Sequence, residues 1–201
     1  MKKRSLLKEF FGFDSFREGQ EEIIDAVAAH QNVLAIMPTG GGKSLCYQLP
    51  AISRGGITLV VSPLIALMRD QVRSLAQVGI SAGSITSQNT EVETLDIIEK
   101  AQSGMLKMLY VAPERLSSNT FIKLIKSLNI EFIAVDEAHC VSQWGHDFRP
   151  DYLKIGDLRN MLGDVQIVAF TATADPKTQE EIIKSLFEKR PTIFVKGFDR
   201  P

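Results

Sequence analysis

The chain has 201 residues, 44% of them hydrophobic and 23% charged, a composition that supports one folded domain with a sizeable core and reads as globular rather than disordered. Its 23 Lys+Arg against 24 Asp+Glu give a formal net charge of -1, so no global positive field advertises a polyanion and any nucleic-acid contact must be local. Cys46 and Cys140 are far apart and form no CxxC pair, which speaks against a disulfide framework or a zinc site and fits a reducing cytoplasm.

In chain order, the basic start MKKRSLLKEF is broken by charges too early for a signal peptide, and no apolar run reaches the length of a membrane span. EEIIDAVAA then places Ile23, Ile24, Val27 and Ala28 on one helical face. Five short apolar runs follow: NVLAIM (32–37), ITLVV (57–61), KMLYVA (107–112), EFIAVD (131–136) and VQIVAF (165–170). Between them, Leu64, Leu67, Met68 and Val72 form a second helical stripe, and Leu95, Ile97, Ile98 and Ala101 a third. Continuously apolar strands alternating with amphipathic helices predict an α/β fold, a doubly wound, mainly parallel sheet with helices on both faces. No repeat or internal linker divides it, so one domain over residues 1–201 is expected.

In such sheets ligands sit beyond the carboxyl ends of the strands. NVLAIM ends where PTGGGKS begins, and a glycine-rich turn between strand and helix lets backbone N–H groups surround an anion. Thr39, Gly40, Gly41, Gly42, Lys43 and Ser44 are the expected nucleotide-binding residues: Lys43 supplies a point charge for β and γ phosphates and Ser44 a hydroxyl for Mg²⁺. Met37 stands where the G-x-x-x-x-G-K-[ST] pattern has its first glycine. The plain alternative is a glycine turn beside an ordinary surface lysine. EFIAVDEAH answers with Asp136 at a strand end, where a buried carboxylate is costly without a cation, and with Glu137 beside it. Asp136 is expected to anchor Mg²⁺ and Glu137 to orient and deprotonate an attacking water, with Lys43 completing the catalytic set. Alone, two acids at a strand end are as well explained by a helix cap.

The order FREGQ, TGGGKS, SPLIALMRDQV, APERL, DEAH and TATAD resembles the first RecA-like motor domain of superfamily 2 helicases. More narrowly, GFDSFREGQ, GGGKSLCYQLP and DEAHCVSQWGHDFRPDY resemble the RecQ family of DNA helicases, across nearly the whole chain. The resemblance implies ATP with Mg²⁺, action on single-stranded and duplex DNA in repair and recombination, and a bacterial-type cytoplasmic, nucleoid-associated setting. It assigns Arg17 and Gln20 to adenine recognition, with Phe13 and Phe16 packing their segment down, and Thr171 and Thr173 to coupling through hydroxyls that reach the DEAH segment. CVSQWGHDFRPDY gathers the single tryptophan, Trp144, with His146, Phe148, Arg149 and Tyr152. Aromatic faces and an arginine of this kind suit unpaired bases and phosphate, although a Trp and Phe covering the core would look the same in composition. By resemblance this is an aromatic-rich loop linking DNA contact to hydrolysis. Trp144, Phe148 and Arg149 are its expected coupling residues, with His146 and His139 beside them. Ser62, Pro63, Arg69 and residues 112–116 (APERL) are expected to meet the DNA backbone, though each alone is indistinguishable from a cap or a surface charge.

The family pattern continues past VKGFDRP into a second RecA-like domain, whose motifs do not occur in these 201 residues. The resemblance therefore implies half of a two-domain motor, largely inactive by itself, with an arginine supplied by that second domain. No metal besides Mg²⁺ is expected. A P-loop small-molecule kinase would share the glycine loop but has no use for FREGQ or the aromatic loop, and a nucleotide-gated adaptor has no use for Glu137. A DEAD-box-like RNA motor, or another superfamily 2 nucleic-acid-dependent ATPase, is the nearer alternative.

Overall fold

The computed structural model describes residues 1–40, 42–145, 147–173 and 175–197. Seven parallel strands form one sheet in the order β3-β4-β2-β5-β6-β1-β7. They are β1 (Val33–Ile36), β2 (Ile57–Val61), β3 (Ala82–Ile85), β4 (Met108–Val111), β5 (Ile130–Val135), β6 (Gln166–Thr171) and β7 (Thr192–Val195). Among the described residues no helix is long and apolar enough to cross a membrane.

The five apolar runs become the five inner strands, and their alternating side chains feed two separate cores. Leu34, Leu59, Leu109, Ile133 and Ile167 belong to one face. Ala35, Val60, Tyr110, Phe132 and Phe170 belong to the other. The second face is covered by α2 (Gln20–Ala28), α3 (Lys43–Ile52) and α4 (Ile65–Gln77) through Ile23, Leu49, Met68 and Leu75. The first is covered by α5 (Glu91–Gln102), α6 (Asn119–Ser127), α7 (Lys154–Met161) and α8 (Pro176–Leu186) through Ala101, Phe121, Leu158 and Ile182. Helices on both faces of an all-parallel sheet are the doubly wound arrangement that continuous apolar strands require. The short α1 (Lys3–Leu6) precedes a wide turn at Leu7–Phe11, and the basic start is tied down on α2: Lys3 Nζ lies 2.7 Å from Asp25 Oδ1 and 2.9 Å from Glu21 Oε2.

Two strands were not visible as apolar runs. β3 is AGSI and alternates between half-buried and buried, while β7 has Thr192 and Val195 exposed at the sheet edge. Two helical stripes also need correcting. Leu64 and Leu67 are exposed, and α4 packs instead through Met68, Val72 and Leu75. Leu64 is the residue before the helix, with ψ 81, so the helical phase does not extend back to it, and Leu67 lies one residue, about 100°, around from Met68. Leu95 is exposed because α5 covers only the narrow edge strand, meeting it through Ile97, which stands against Gly83.

The strand order sets up the site. β6 lies between β1 and β5, in register Ile36 to Thr171 and Val135 to Ala169. The loops after these three neighbouring strands therefore emerge together.

Candidate functional site

β1 hands over to the glycine loop through Met37, which is buried and donates its N–H to the Thr171 carbonyl at 2.9 Å. An apolar residue fits there because the position still belongs to the sheet, which explains the departure from glycine. The loop then turns with φ 82 at Gly40 and φ 77 at Gly42, the residue that caps α3. Gly42 is constrained twice: its backbone is left-handed, and a Cβ would stand 2.2 Å from Gln20 Nε2. Gly41 lies outside the described residues.

Arg17 and Gln20 clamp this loop. Arg17 Nη1 donates to the Gly40 carbonyl at 2.9 Å, Gln20 Nε2 donates to the Gly42 carbonyl at 3.2 Å, and Gln20 Oε1 accepts the Arg17 N–H at 2.7 Å. Both ends of the buried Gln20 amide are thus engaged, one by the loop and one by the FREGQ backbone. Each end keeps unused capacity, since the amide carries two N–H groups and its oxygen two lone pairs. A cavity of about 220 Å³ opens beside them, lined by Phe13, Arg17, Gln20, Ser44 and Gln48 among others. Phe16 packs against the core as expected. Phe13 does not; it is exposed and forms a wall of this cavity, so one of the two aromatic residues read as packing faces open space where a ring could lie.

Lys43 opens α3, with Ser44 next in its first turn. Its ammonium stands 3.7 Å from Asp136 Oδ1 and 3.6 Å from Glu137 Oε1, all three side chains only about a fifth exposed. One positive and two negative charges leave the cradle short of a cation. Burial pushes the Asp136 carboxyl above the usual carboxylate range; Lys43 pulls it down and Glu137 pushes it up, and burial prevails. A hard divalent ion suits a carboxylate and a hydroxyl in such a place. Glu137 adopts φ 52, rare outside glycine, and its N–H donates to Asp136 Oδ1 at 3.0 Å. The buried Tyr152 supports this turn from below, its hydroxyl donating to the Asp136 carbonyl at 2.9 Å.

A second cluster adjoins the first. His139 Nδ1 lies 3.0 Å from Thr171 Oγ1 and 3.5 Å from Glu137 Oε2, and its Nε2 lies 3.6 Å from Asp147 Oδ2. Thr171 thus reaches across to the DEAH segment. Thr173 does so only through Thr171, donating its backbone N–H to Oγ1 at 3.2 Å. Arg149 Nη2 lies 3.7 Å from Asp147 Oδ1, and its N–H donates to the Cys140 carbonyl at 2.8 Å. Trp144 does not cover the core: it is 70% exposed, with Lys177 Nζ 5.0 Å from its ring centre. Phe148 is half-buried and Arg149 exposed, while His146 lies outside the described residues. Ser62 departs from expectation. It is buried and its hydroxyl accepts the Leu64 N–H, so it shapes the entry to α4 instead of lying open on the surface. Pro63 is half-buried beside it. Arg69 donates to the Gln88 carbonyl and lines a cavity of about 310 Å³ with Arg73 and Asn89, and Arg115 of APERL donates to the Thr86 carbonyl.

Two groups escaped the sequence reading. Asp147 is the hub between His139, Cys140 and Arg149, and its signal was only its place inside the aromatic loop. The buried chain Gln48–Tyr110–Tyr47–Gln71 links α3 to β4 and α4 at 2.9, 3.2 and 2.9 Å; no local pattern announces it, because its members come from three distant segments.

A profile of the DEAD/DEAH box helicase family matches residues 17–182, a span holding Arg17, Gln20, the glycine loop, the DEAH segment and the aromatic loop. Over 197 residues the chain is 50% identical to an ATP-dependent DNA helicase RecQ of Haemophilus influenzae, and over 199 residues 45% identical to one of Bacillus subtilis, each alignment taking in 98% of the chain. The chain belongs to the DEAD/DEAH box helicases and, within them, to the RecQ family. It spans about a third of the length of these relatives, 32% and 34%. In fold it is similar to a hypothetical ATP-dependent RNA helicase from Sulfolobus tokodaii, with a TM-score of 0.72 at 21% identity, over 96% of this chain and 57% of that one. At that identity the likeness extends to the RecA-like fold alone. The RecQ relationship and the all-parallel sheet meet at one place, the cluster of loops after β1, β5 and β6.

Proposed function

We propose that residues 1–201 are the ATP-binding first motor domain of a DNA helicase, coupling ATP hydrolysis to movement along single-stranded DNA and to duplex unwinding in repair and recombination, in the cytoplasm at the nucleoid. The observation that carries the reading is the placement of Lys43, beyond the end of β1, against Asp136 and Glu137, beyond the end of β5. In this reading Thr39, Gly40, Gly41 and Gly42 wrap the phosphates, and Lys43 exchanges its carboxylate partners for β and γ phosphate oxygens. Ser44 and Asp136 hold Mg²⁺, which when bound neutralises phosphate charge. Glu137, released from Lys43, accepts a proton from the attacking water. Arg17 and Gln20 use their remaining donor and acceptor capacity on adenine, with Phe13 as the ring wall of that pocket.

His139 and Thr171 carry the state of this centre to the aromatic loop, where Trp144, Phe148, Arg149 and His146 meet unpaired bases and phosphates; Thr173 supports Thr171. Pro63 and residues 112–116, which follow β2 and β4, and Arg69 of α4 extend the DNA track. A second RecA-like domain closes the nucleotide site and adds an arginine that stabilises transferred charge.

Calorimetry with Mg-ATP on the Lys43→Ala variant tests the reading at its centre. Binding is expected to weaken at least about a hundredfold, because phosphate charge is left uncompensated. Unchanged affinity in a variant with native thermal stability would remove Lys43 from the site.

A further inference from the structure

The His139–Cys140–Asp147 cluster lies outside the phosphate cradle, and nothing in nucleotide hydrolysis uses the Cys140 thiol. Cys140 Sγ lies 3.7 Å from Asp147 Oδ2, and His139 Nε2 lies 3.6 Å from the same oxygen. All three ligand atoms fall within 4.8 Å of one another. In a tetrahedral zinc site with bonds of about 2.0–2.3 Å, neighbouring ligand atoms stand roughly 3.3–3.7 Å apart, so the 3.7 and 3.6 Å spacings to Asp147 Oδ2 already suit a shared ion. The outer contacts fit as well. A histidine that ligates through one ring nitrogen usually gives its other N–H to an oxygen, and His139 Nδ1 has Thr171 Oγ1 at 3.0 Å. The second carboxylate oxygen of Asp147 faces Arg149 at 3.7 Å, which leaves Oδ2 for an ion. The mix of thiol, imidazole and carboxylate selects a borderline-soft cation over Mg²⁺.

We propose that His139 Nε2, Cys140 Sγ and Asp147 Oδ2 form a site for a thiophilic divalent cation, Zn²⁺, with solvent in a fourth position. On binding, the Cys140 S–H bond is replaced by an S–Zn bond and the proton leaves to solvent. The ion ties the loop carrying Trp144 to the turn carrying Glu137, so occupancy fixes their relative position. The site shares no ligand with the phosphate cradle, and its His139 stands between the two, Nδ1 3.5 Å from Glu137 Oε2.

Titration of the full 201-residue chain with Co²⁺ alone, without nucleotide, tests this. One equivalent is expected to bind with a thiolate-to-cobalt charge-transfer band that Zn²⁺ abolishes, and the band should persist in Cys46→Ser, whose thiol lies in α3. Cys140→Ser should lose the band. Asp147→Asn, a near-isosteric change at a half-buried loop position whose folding thermal unfolding checks, should bind at least tenfold more weakly, and Thr171→Val about tenfold more weakly through the lost outer hydrogen bond. Absence of the band in the unaltered chain, its survival in Cys140→Ser, its loss in Cys46→Ser, or unchanged affinity in Asp147→Asn would each overturn the site.

Discussion

The glycine loop and the aromatic loop follow β1 and β5, two inner strands flanking β6, yet are held in opposite ways. The first is over-determined: Gly42 has a left-handed backbone, no room for a Cβ, and a carbonyl fixed by a buried Gln20 amide. The second carries its largest side chain outward, Trp144 meeting the protein through a Lys177 ammonium 5.0 Å from the ring and a backbone N–H bound to Ser142 Oγ. A loop that must present backbone to a small, highly charged ligand gains from rigidity, since misplaced donors lose charge-assisted bonds. A surface that must grip any base along a moving strand gains from an exposed ring, since stacking tolerates every base.

The sharpest way to break this contrast is Gly42→Ala. The left-handed backbone alone costs a non-glycine residue roughly 1–2 kcal/mol, and the new Cβ must also displace Gln20 Nε2 from 2.2 Å. Thermal or urea unfolding is expected to show a loss of about 2 kcal/mol or more, with ATP affinity falling in step. In a Gln20→Ala background the same substitution should cost measurably less, because the clash partner is a side-chain end that the first change removes. Equal costs in both backgrounds would show that Gln20 does not set the shape of the loop.

Gln20→Ala alone tests a smaller effect. The amide now has a structural duty toward Gly42 and Arg17, so truncation should weaken ATP and GTP together through the loop. An adenine-reading role adds a further loss of roughly 1 kcal/mol for ATP only. Competition binding separates the parts: parallel losses would leave Gln20 as a loop clamp and nothing more.

The sheet was legible wherever burial on both faces forced an apolar run, as in VLAI and ITLVV, and illegible at the edges, where Thr192 and Val195 face solvent and Gly83 yields room to Ile97. The turn between β1 and α3 was legible because glycine spacing is a backbone requirement and so survives in one dimension. Leu64 and Leu67 misled for a simple reason: periodicity does not say where a helix begins, and Leu64 lies before the first turn. The expectation that Phe13 packs down failed because a ring beside a ligand cavity and a ring over the core have the same sequence signature. Asp147 stayed hidden because its partners, His139 and Cys140, come from the preceding turn and no spacing rule connects them.

At Trp144 the smallest effect on stability should come together with a clear loss of the response to DNA. Its ring is 70% exposed, so replacement by alanine removes little buried area, and the contact to Lys177 is a solvent-exposed cation–π pair worth about 0.5–1 kcal/mol at most. Unfolding of Trp144→Ala is therefore expected to match the parent within about 1 kcal/mol, and Mg-ATP affinity should be unchanged because no bond joins the ring to the cradle. On a chain carrying both motor domains, stimulation of ATPase by single-stranded DNA should fall by at least about fivefold, since stacking on one base contributes roughly 1–3 kcal/mol. Stopped-flow ATPase with and without a homopolymeric strand reads the difference. Full stimulation in the variant would mean that the exposed ring is not the surface that feels DNA, and the contrast between the clamped loop and the open one would lose its functional meaning.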